Sequence, residues 1–386
     1  MKLKKIILYQ GGACCENRLL VHLRRMGKEI HELVCTCDNY ELDATLAQKL
    51  LFLIQDKKAD GIMSVDYYPI IAQVAHTVGI PYLSWMIDAP HYTLYSPTSF
   101  YDEVYLFHFD REEVQRLIQM GRRHIFHQPL ASDPDYFAKV AGDAGIQKTV
   151  DISFLGNSYQ NEHDYFAKIK GISKYDEGYF DALINAQLGV YGASLFEGTL
   201  SGRQIDRLLK VCGIQCPANY DLPNHLLAEN ILEKRVSVLE RGEMIKRVAE
   251  KFGIVLYSGK DDFPIKGVDY RGYADYETKM PLVFAGSRIN LNTTLRRIHS
   301  GIPLRALDIM ACGGFLLTNY QPELLEYFTP GKSLEIYESM EDLLEKCSFY
   351  LNHEKEREKI AECGRKIVRE KFAYEKALSE MFEKIE

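Results

Sequence analysis

RINLNTTLRRIHSGIPLRALDIMACGGFLLTN, residues 288–319, holds the architecture of this chain in miniature. Residues 288–292 alternate apolar Ile289 and Leu291 with polar neighbours, which predicts a β-strand. Asn292, Thr293 and Thr294 follow as a polar loop at its carboxyl end. Pro303, just after Gly301, suits the first turn of a helix, where a missing N–H costs nothing. That helix is expected to run to Cys312 and to stop at Gly313 and Gly314. Residues 315–318 then read as a buried strand. Leu304, Leu307 and Ala311 make the packed face of the helix, and Arg305 and Asp308, three residues apart, lie together on one side.

The same strand–helix alternation recurs on both sides of this stretch. Residues 4–10, 29–36, 61–65, 80–87, 104–109 and 124–128 read as strands, and residues 18–27, 42–57, 69–78 and 111–120 as helices between them. Such spacing predicts βαβ units, hence a parallel sheet with helices on both faces. Residues 150–155 restart a strand that ends in a second glycine turn, Gly156-Asn157-Ser158-Tyr159. Residues 160–252 are largely helical, the last long helix being 224–252, and residues 254–257 form the next strand. The expected fold class is therefore α/β, with two Rossmann-like doubly wound parallel-sheet domains. The expected division is residues 1–145, residues 146–372 with the helical segment 160–252, and a C-terminal helix, 373–386, returning to the first domain.

Composition narrows the class. The chain has 386 residues, enough for two domains with separate cores. Its net charge of −7 makes a general nucleic-acid binder a poor fit, because such affinity comes from neutralising phosphates. No apolar run reaches the roughly 18–20 residues of a membrane span. The apolar residues 6–9 are too short for a signal-peptide core, so a cytoplasmic protein is expected. The nine cysteines are odd in number and scattered, which argues against a disulfide framework.

In doubly wound sheets, ligands bind at the carboxyl ends of the strands. In the second half this edge offers Gly156, Asn157 and Ser158, then Lys260, then Asn292 and Thr293, then Arg305 and Asp308 ahead of Gly313 and Gly314. A carboxylate at Asp308 suits the two hydroxyls of a ribose, and a guanidinium at Arg305 suits a diphosphate. Backbone N–H groups within residues 301–304, at the helix start and leaving out Pro303, favour the same anion. The competing reading of Arg305 and Asp308 is a helix-surface salt bridge worth about 0–1 kcal/mol. Lys260 reads equally well as a plain surface lysine. In the first half the edge offers Gly11 and Gly12, Asp66, and the run from Trp85 through Asp88, His91 and Tyr92. Asp88 and His91 are the candidate catalytic pair, Asp88 as base for an acceptor hydroxyl, while Gly11, Gly12, Trp85 and Tyr92 line the acceptor side. Asp66 reads as a helix cap. Asp133-Pro134-Asp135 reads as turn chemistry rather than as a metal-holding carboxylate pair. No metal and no cofactor is expected.

INLN at 289–292, GIPLRALDIMACGGFLLTNYQPEL from 301, and the tail at 336–378 resemble the C-terminal domain of glycosyltransferases similar to the spore maturation protein CgeB. GIPYLSWMID at 79–88, FHFDR at 107–111 and QPLASDPD at 128–135 resemble the N-terminal domain that accompanies it. The resemblance implies a GT-B glycosyltransferase, with two Rossmann-like domains facing across a cleft and the donor nucleotide held mainly by the second. It also implies metal-independent transfer from a nucleotide-diphosphate sugar to an acceptor. Related retaining enzymes carry two glutamates eight positions apart; here those positions are Ser300 and Asp308, so the first departs from the pattern. A nucleotide-sugar epimerase or phosphorylase and a non-catalytic nucleotide-sugar binder are the alternatives on the same scaffold. Nucleobase, sugar, acceptor, stereochemistry and oligomeric state are not encoded in any motif of this kind.

Overall fold

The strand–helix repeats read from the sequence fold into two separate parallel sheets. The computed structural model describes residues 3–157, 159, 165–166, 171–259 and 265–385. It forms two compact units, residues 1–131, 217–222 and 372–386 in the first, and residues 132–216 and 223–371 in the second.

The first unit runs β1 (Lys5–Gln10), α1 (Glu16–Arg25), β2 (Glu29–Val34), α2 (Ala44–Lys57), β3 (Gly61–Val65), α3 (Pro69–Val78) and β4 (Tyr82–Met86). Two short 3₁₀ turns, Tyr92–Tyr95 and Pro97–Phe100, lead to β5 (Val104–His108), α4 (Arg111–Gln119) and β6 (Ile125–His127). The sheet order is β2-β1-β3-β4-β5-β6, with every pair parallel. β3 and β4 are buried at every position, as expected for strands covered on both faces.

The second unit opens with α5 (Pro134–Asp143) and β7 (Val150–Leu155), then α6 (Lys174–Leu188), α7 (Gly202–Cys212) and α8 (Asn224–Phe252). It continues with β8 (Ile254–Tyr257), β9 (Val268–Tyr270), α9 (Met280–Gly286), β10 (Ser287–Asn292), α10 (Leu304–Ala311) and β11 (Leu316–Asn319). It closes with α11 (Leu324–Tyr327), β12 (Glu335–Tyr337), α12 (Met340–Asn352) and α13 (Glu354–Lys371). The sheet order is β12-β11-β10-β7-β8-β9, again all parallel. Its core packs Ile152, Phe154, Ile289, Leu291 and Leu317 of the strands against Met244, Ile245 and Val248 of α8 and Leu343 of α12.

Two pieces of chain differ from the expected layout. Residues 134–143, which the expected division places in the first domain, are helix α5, which packs on α9, α10 and α13 of the second unit. Asp133 caps that helix by accepting from the Tyr136 N–H at 3.1 Å, Pro134 occupies its first turn, and Asp135 pairs with Arg369. Residues 217–222 belong to the first unit because Asp221 takes a bidentate bond from Arg122, 2.6 Å at each oxygen. The last helix, α14 (Tyr374–Glu383), stacks Tyr374 on His22 of α1.

The glycine pair after α10 is explained by the fold itself. Gly313 has φ +73°, its N–H reaches Met310 O, and the Gly314 N–H reaches Ile309 O, which together make a Schellman stop. A Cβ on Gly314 would lie 2.6 Å from Asn290 Nδ2 and 2.9 Å from Ile309 O. Gly314→Ala is therefore expected to cost about 1–3 kcal/mol by overpacking, measured by urea unfolding. An unchanged midpoint would show that the β10–α10 contact can relax.

Candidate functional site

In the second sheet the chain leaves β7 for β8 on one side and later returns to β10 on the other. The carboxyl ends of β7 and β10 therefore diverge, which is where open α/β sheets bind ligands. One side chain spans that point. Arg241 of α8, 6% exposed, donates from Nε to Thr293 Oγ1 at 2.9 Å, from Nη2 to Thr293 O at 2.8 Å, and from Nη1 to Asn157 O. Its guanidinium also lies over the rings of Phe154 and Tyr159. Asn157 Oδ1 in turn accepts from Ser258 Oγ and from the Gly259 N–H beyond β8. Gly156 donates its N–H to Tyr257 O. Asn292 and Thr293, expected to face a ligand, are buried, and Asn292 Nδ2 donates to Thr294 Oγ1 and Thr318 Oγ1. Their side chains shape the loop from within. Ser158 and Lys260 lie outside the described residues.

α10 places its two polar residues differently. Arg305 is partly exposed, 5.7 Å from the Phe284 ring centre. Asp308 is 1% exposed, and its Oδ1 accepts from Ser132 Oγ at 2.8 Å and from Tyr276 OH at 3.1 Å. Burial pushes its pKa up to about 7, against the opposing pull of Arg305 and the two hydroxyl donors. The surface salt bridge considered for Arg305 and Asp308 is thus not what forms; the carboxylate turns inward. Ser300 donates to Glu323 Oε1 at 2.7 Å, so a carboxylate from beyond β11 stands beside the position where this chain has a serine in place of the glutamate of the pattern it resembles.

In the first sheet the order of strand addition reverses between β1 and β3. Gly11 and Gly12 sit there, but Glu16 of α1 accepts both their N–H groups, at 2.9 and 3.1 Å. Asp66 is not the cap of α3, whose cap position is Tyr68. It sits at φ +57° and accepts the N–H groups of Ile87 and Asp88, at 2.9 and 3.4 Å, tying down the loop after β4. Burial raises its pKa to about 6. Trp85 is 3% exposed and meets Tyr374 edge-on, so its ring is core and presents no face to an acceptor. Asp88 and Tyr92 are exposed. His91 Nδ1 lies 2.6 Å from Thr93 Oγ1, whose own hydrogen goes to Tyr67 O. The Nδ1 must therefore carry the proton, which leaves Nε2 with its lone pair. Burial lowers the His91 pKa to about 4, so the ring is neutral at pH 7.

Arg241 and Tyr276 fall in no motif, and Ser132 and Glu323 lie within QPLASDPD and the stretch from 301, whose pattern gives them no role. All nine cysteines are free. Among the described residues no three His, Cys, Asp or Glu side chains are grouped to hold a metal ion, and no helix is long and apolar enough to cross a membrane.

Residues 241–383 match the model of a family described as glycosyl transferase-like. That span begins at Arg241 and contains the whole β10–α10–β11 stretch. No curated protein matches the sequence. Among solved structures, Anabaena HepE in complex with UDP-glucose is similar over 100% of this chain and 99% of its own, with a TM-score of 0.54 and 10% identity. A glycosyltransferase from Rickettsia africae aligns over 100% of both chains, with a TM-score of 0.52 and 10% identity. A sucrose-phosphate synthase from Thermosynechococcus elongatus aligns over 98% of both, with a TM-score of 0.53 and 10% identity. The fold is the α/β GT-B class, built on two doubly wound parallel sheets.

Proposed function

We propose that this protein is a CgeB-like glycosyltransferase that moves a sugar from a nucleotide-diphosphate sugar to an acceptor, without a metal, in the cytoplasm. The observation that carries this reading is the match over residues 241–383, which falls on the switch-point edge of the second sheet. The complexes of HepE with UDP-glucose and with UDP suggest the class of donor.

In this reading the second unit binds the donor. Asp308, once ionised and turned from Ser132, accepts the ribose hydroxyls, and Arg305 with the first turn of α10 takes the diphosphate. The acceptor oxygen attacks the anomeric carbon, and the bond from that carbon to the diphosphate oxygen breaks. The diphosphate leaves with the bonding electrons, its charge held by Arg305. The acceptor proton goes to Asp88, an exposed carboxylate on the loop that Asp66 fixes. His91, neutral and with Nε2 as an acceptor, orients the acceptor hydroxyl.

Thermal unfolding with UDP, GDP, ADP, CDP and dTDP tests the donor half of this reading. One of them is expected to stabilise the protein, by about 2.7 kcal/mol at a hundredfold excess over its dissociation constant. No shift with any of the five would overturn it. Incubation of the matching nucleotide sugar without acceptor separates the rivals, since an epimerase converts it and a transferase at most hydrolyses it slowly.

A further inference from the structure

Beside the carboxyl ends of β10 and β11 lies a narrow cleft, walled on its far side by Glu233 of α8. Its walls are built firmly. Arg296 donates from Nε to Glu240 Oε2 at 2.8 Å, from Nη1 to Val190 O at 2.6 Å and from Nη2 to Leu188 O at 3.3 Å. It also covers the Tyr191 ring at 3.9 Å. Gln187 fastens the loop that follows α6, donating to Ala193 O at 2.8 Å and accepting from the Leu195 N–H at 2.6 Å.

Glu233 is the exception among these satisfied groups. It is 1% exposed, and its Oε1 lies 2.8 Å from His299 Nε2. A carboxylate can only accept, so the Nε2 of His299 carries the hydrogen of that bond. Glu233 Oε2 is buried and has no hydrogen-bond partner among the described residues. A buried carboxylate oxygen left without a donor is costly, so it marks a place for a donor from outside the chain. The donor is neutral or cationic rather than a phosphate, because a carboxylate faces it and the guanidinium of Arg296 is engaged with Glu240 and backbone carbonyls. The space open to a water-sized group within the cleft is about 20 Å³, which admits one oxygen-sized group. Tyr191 and Tyr320 at the cleft supply aromatic surface suited to the edge of a sugar ring.

We infer that Glu233, positioned by His299, selects the donor sugar by accepting a hydrogen bond from one of its hydroxyl groups. This rests on the nucleotide-sugar reading above. The test is isothermal titration of wild-type and Glu233→Gln protein with the pairs UDP and UDP-glucose, GDP and GDP-mannose, and ADP and ADP-glucose. The amide keeps its oxygen toward His299 and turns an NH₂ group into the cleft, so the packing is retained and the acceptor is lost. For the pair that binds, the variant is expected to lose about 10- to 100-fold in affinity for the nucleotide sugar, and to keep the wild-type affinity for the nucleoside diphosphate. Glu233→Asp shortens the same carboxylate and is expected to recover part of the loss. Equal nucleotide-sugar affinities in wild type and Glu233→Gln would overturn the inference and leave Oε2 to a bound water. An equal loss for the nucleoside diphosphate would also overturn it, by assigning Glu233 to the nucleobase or ribose. Wild-type protein that binds none of the six ligands would instead remove the nucleotide-sugar reading itself.

Discussion

Arg241→Ala is expected to destabilise the second unit by about 3–5 kcal/mol. The side chain is 6% exposed and donates to three oxygens, two on Thr293 and one on Asn157. Truncation leaves those acceptors without their donor, at about 1–3 kcal/mol for each that water does not reach. It also removes the guanidinium that lies over the rings of Phe154 and Tyr159. The effect has a second component that an ordinary core deletion lacks. Arg241 is the shared anchor of the loops after β7 and β10, so the binding edge loosens with the fold. Arg241→Lys separates the two contributions. It keeps the charge and much of the stem but cannot reach both loops with a planar fork, so it is expected to recover less than half of the lost stability. Urea unfolding of the three proteins reads the first component, and nucleotide affinity at low temperature, where all remain folded, reads the second. A midpoint for Arg241→Ala within error of wild type would show that the loops hold themselves.

The distribution of what was legible follows from the range of each interaction. The strands and helices of the first sheet, and β7, β8, β10 and β11 of the second, were readable because apolar period and glycine stops act within a few residues, whereas β9 and β12, three residues each, are too short to show a period. Residues 288–319 fold as strand, loop, helix and strand, with Pro303 at the cap position of α10 and the glycine pair as its stop. α5 was missed although its signals were local. Asp133 followed by Pro134 is a cap and a first turn, and it was weighed only as a turn or a metal-holding pair. The site was less legible because its partners come from far along the chain. Arg241 is 52 residues from Thr293, Glu233 is 66 from His299, and Ser132 is 176 from Asp308. No spacing rule relates such pairs. Nor does a polar residue at a strand end announce whether it faces solvent: Asn292 and Thr293 are buried, and Trp85 is core. The glycines of the first loop were read as open to a ligand, and Glu16, four residues past Gly12, already accepts their N–H groups.

Asp308→Asn is expected to raise stability at neutral pH while weakening nucleotide binding, and the two effects have one cause. Burial holds the Asp308 pKa at about 7 in the folded protein, above the usual 3.8. Between those values the folded state binds more protons than the unfolded state, so stability falls as pH rises from about 4 to about 7 and is level beyond. At about 1.4 kcal/mol per pKa unit the full difference is on the order of 4 kcal/mol. An asparagine does not titrate, and its carbonyl oxygen still accepts from Ser132 and Tyr276. The variant's thermal midpoint, compared with wild type at pH 4.5 and 7.5, is therefore expected to gain on wild type as pH rises. Asp66, with its pKa at about 6, contributes a loss of the same sign in both proteins and cancels from the comparison. Binding moves the opposite way. A ribose diol donates two hydrogens, and only the ionised carboxylate accepts both without a competing donor of its own, so ligand binding favours the form that burial disfavours. Wild-type affinity for a nucleoside diphosphate is expected to rise between pH 6 and 8, and the variant to lose about tenfold or more at pH 8. The phosphate of the ligand ionises in the same range, so the informative quantity is the ratio of wild-type to variant affinity at each pH. A ratio that grows with pH places the carboxylate on the ligand. A ratio of one throughout, beside the same gain in midpoint, would leave Asp308 as a buried acid that holds Ser132 and Tyr276 and would move the ribose contact elsewhere.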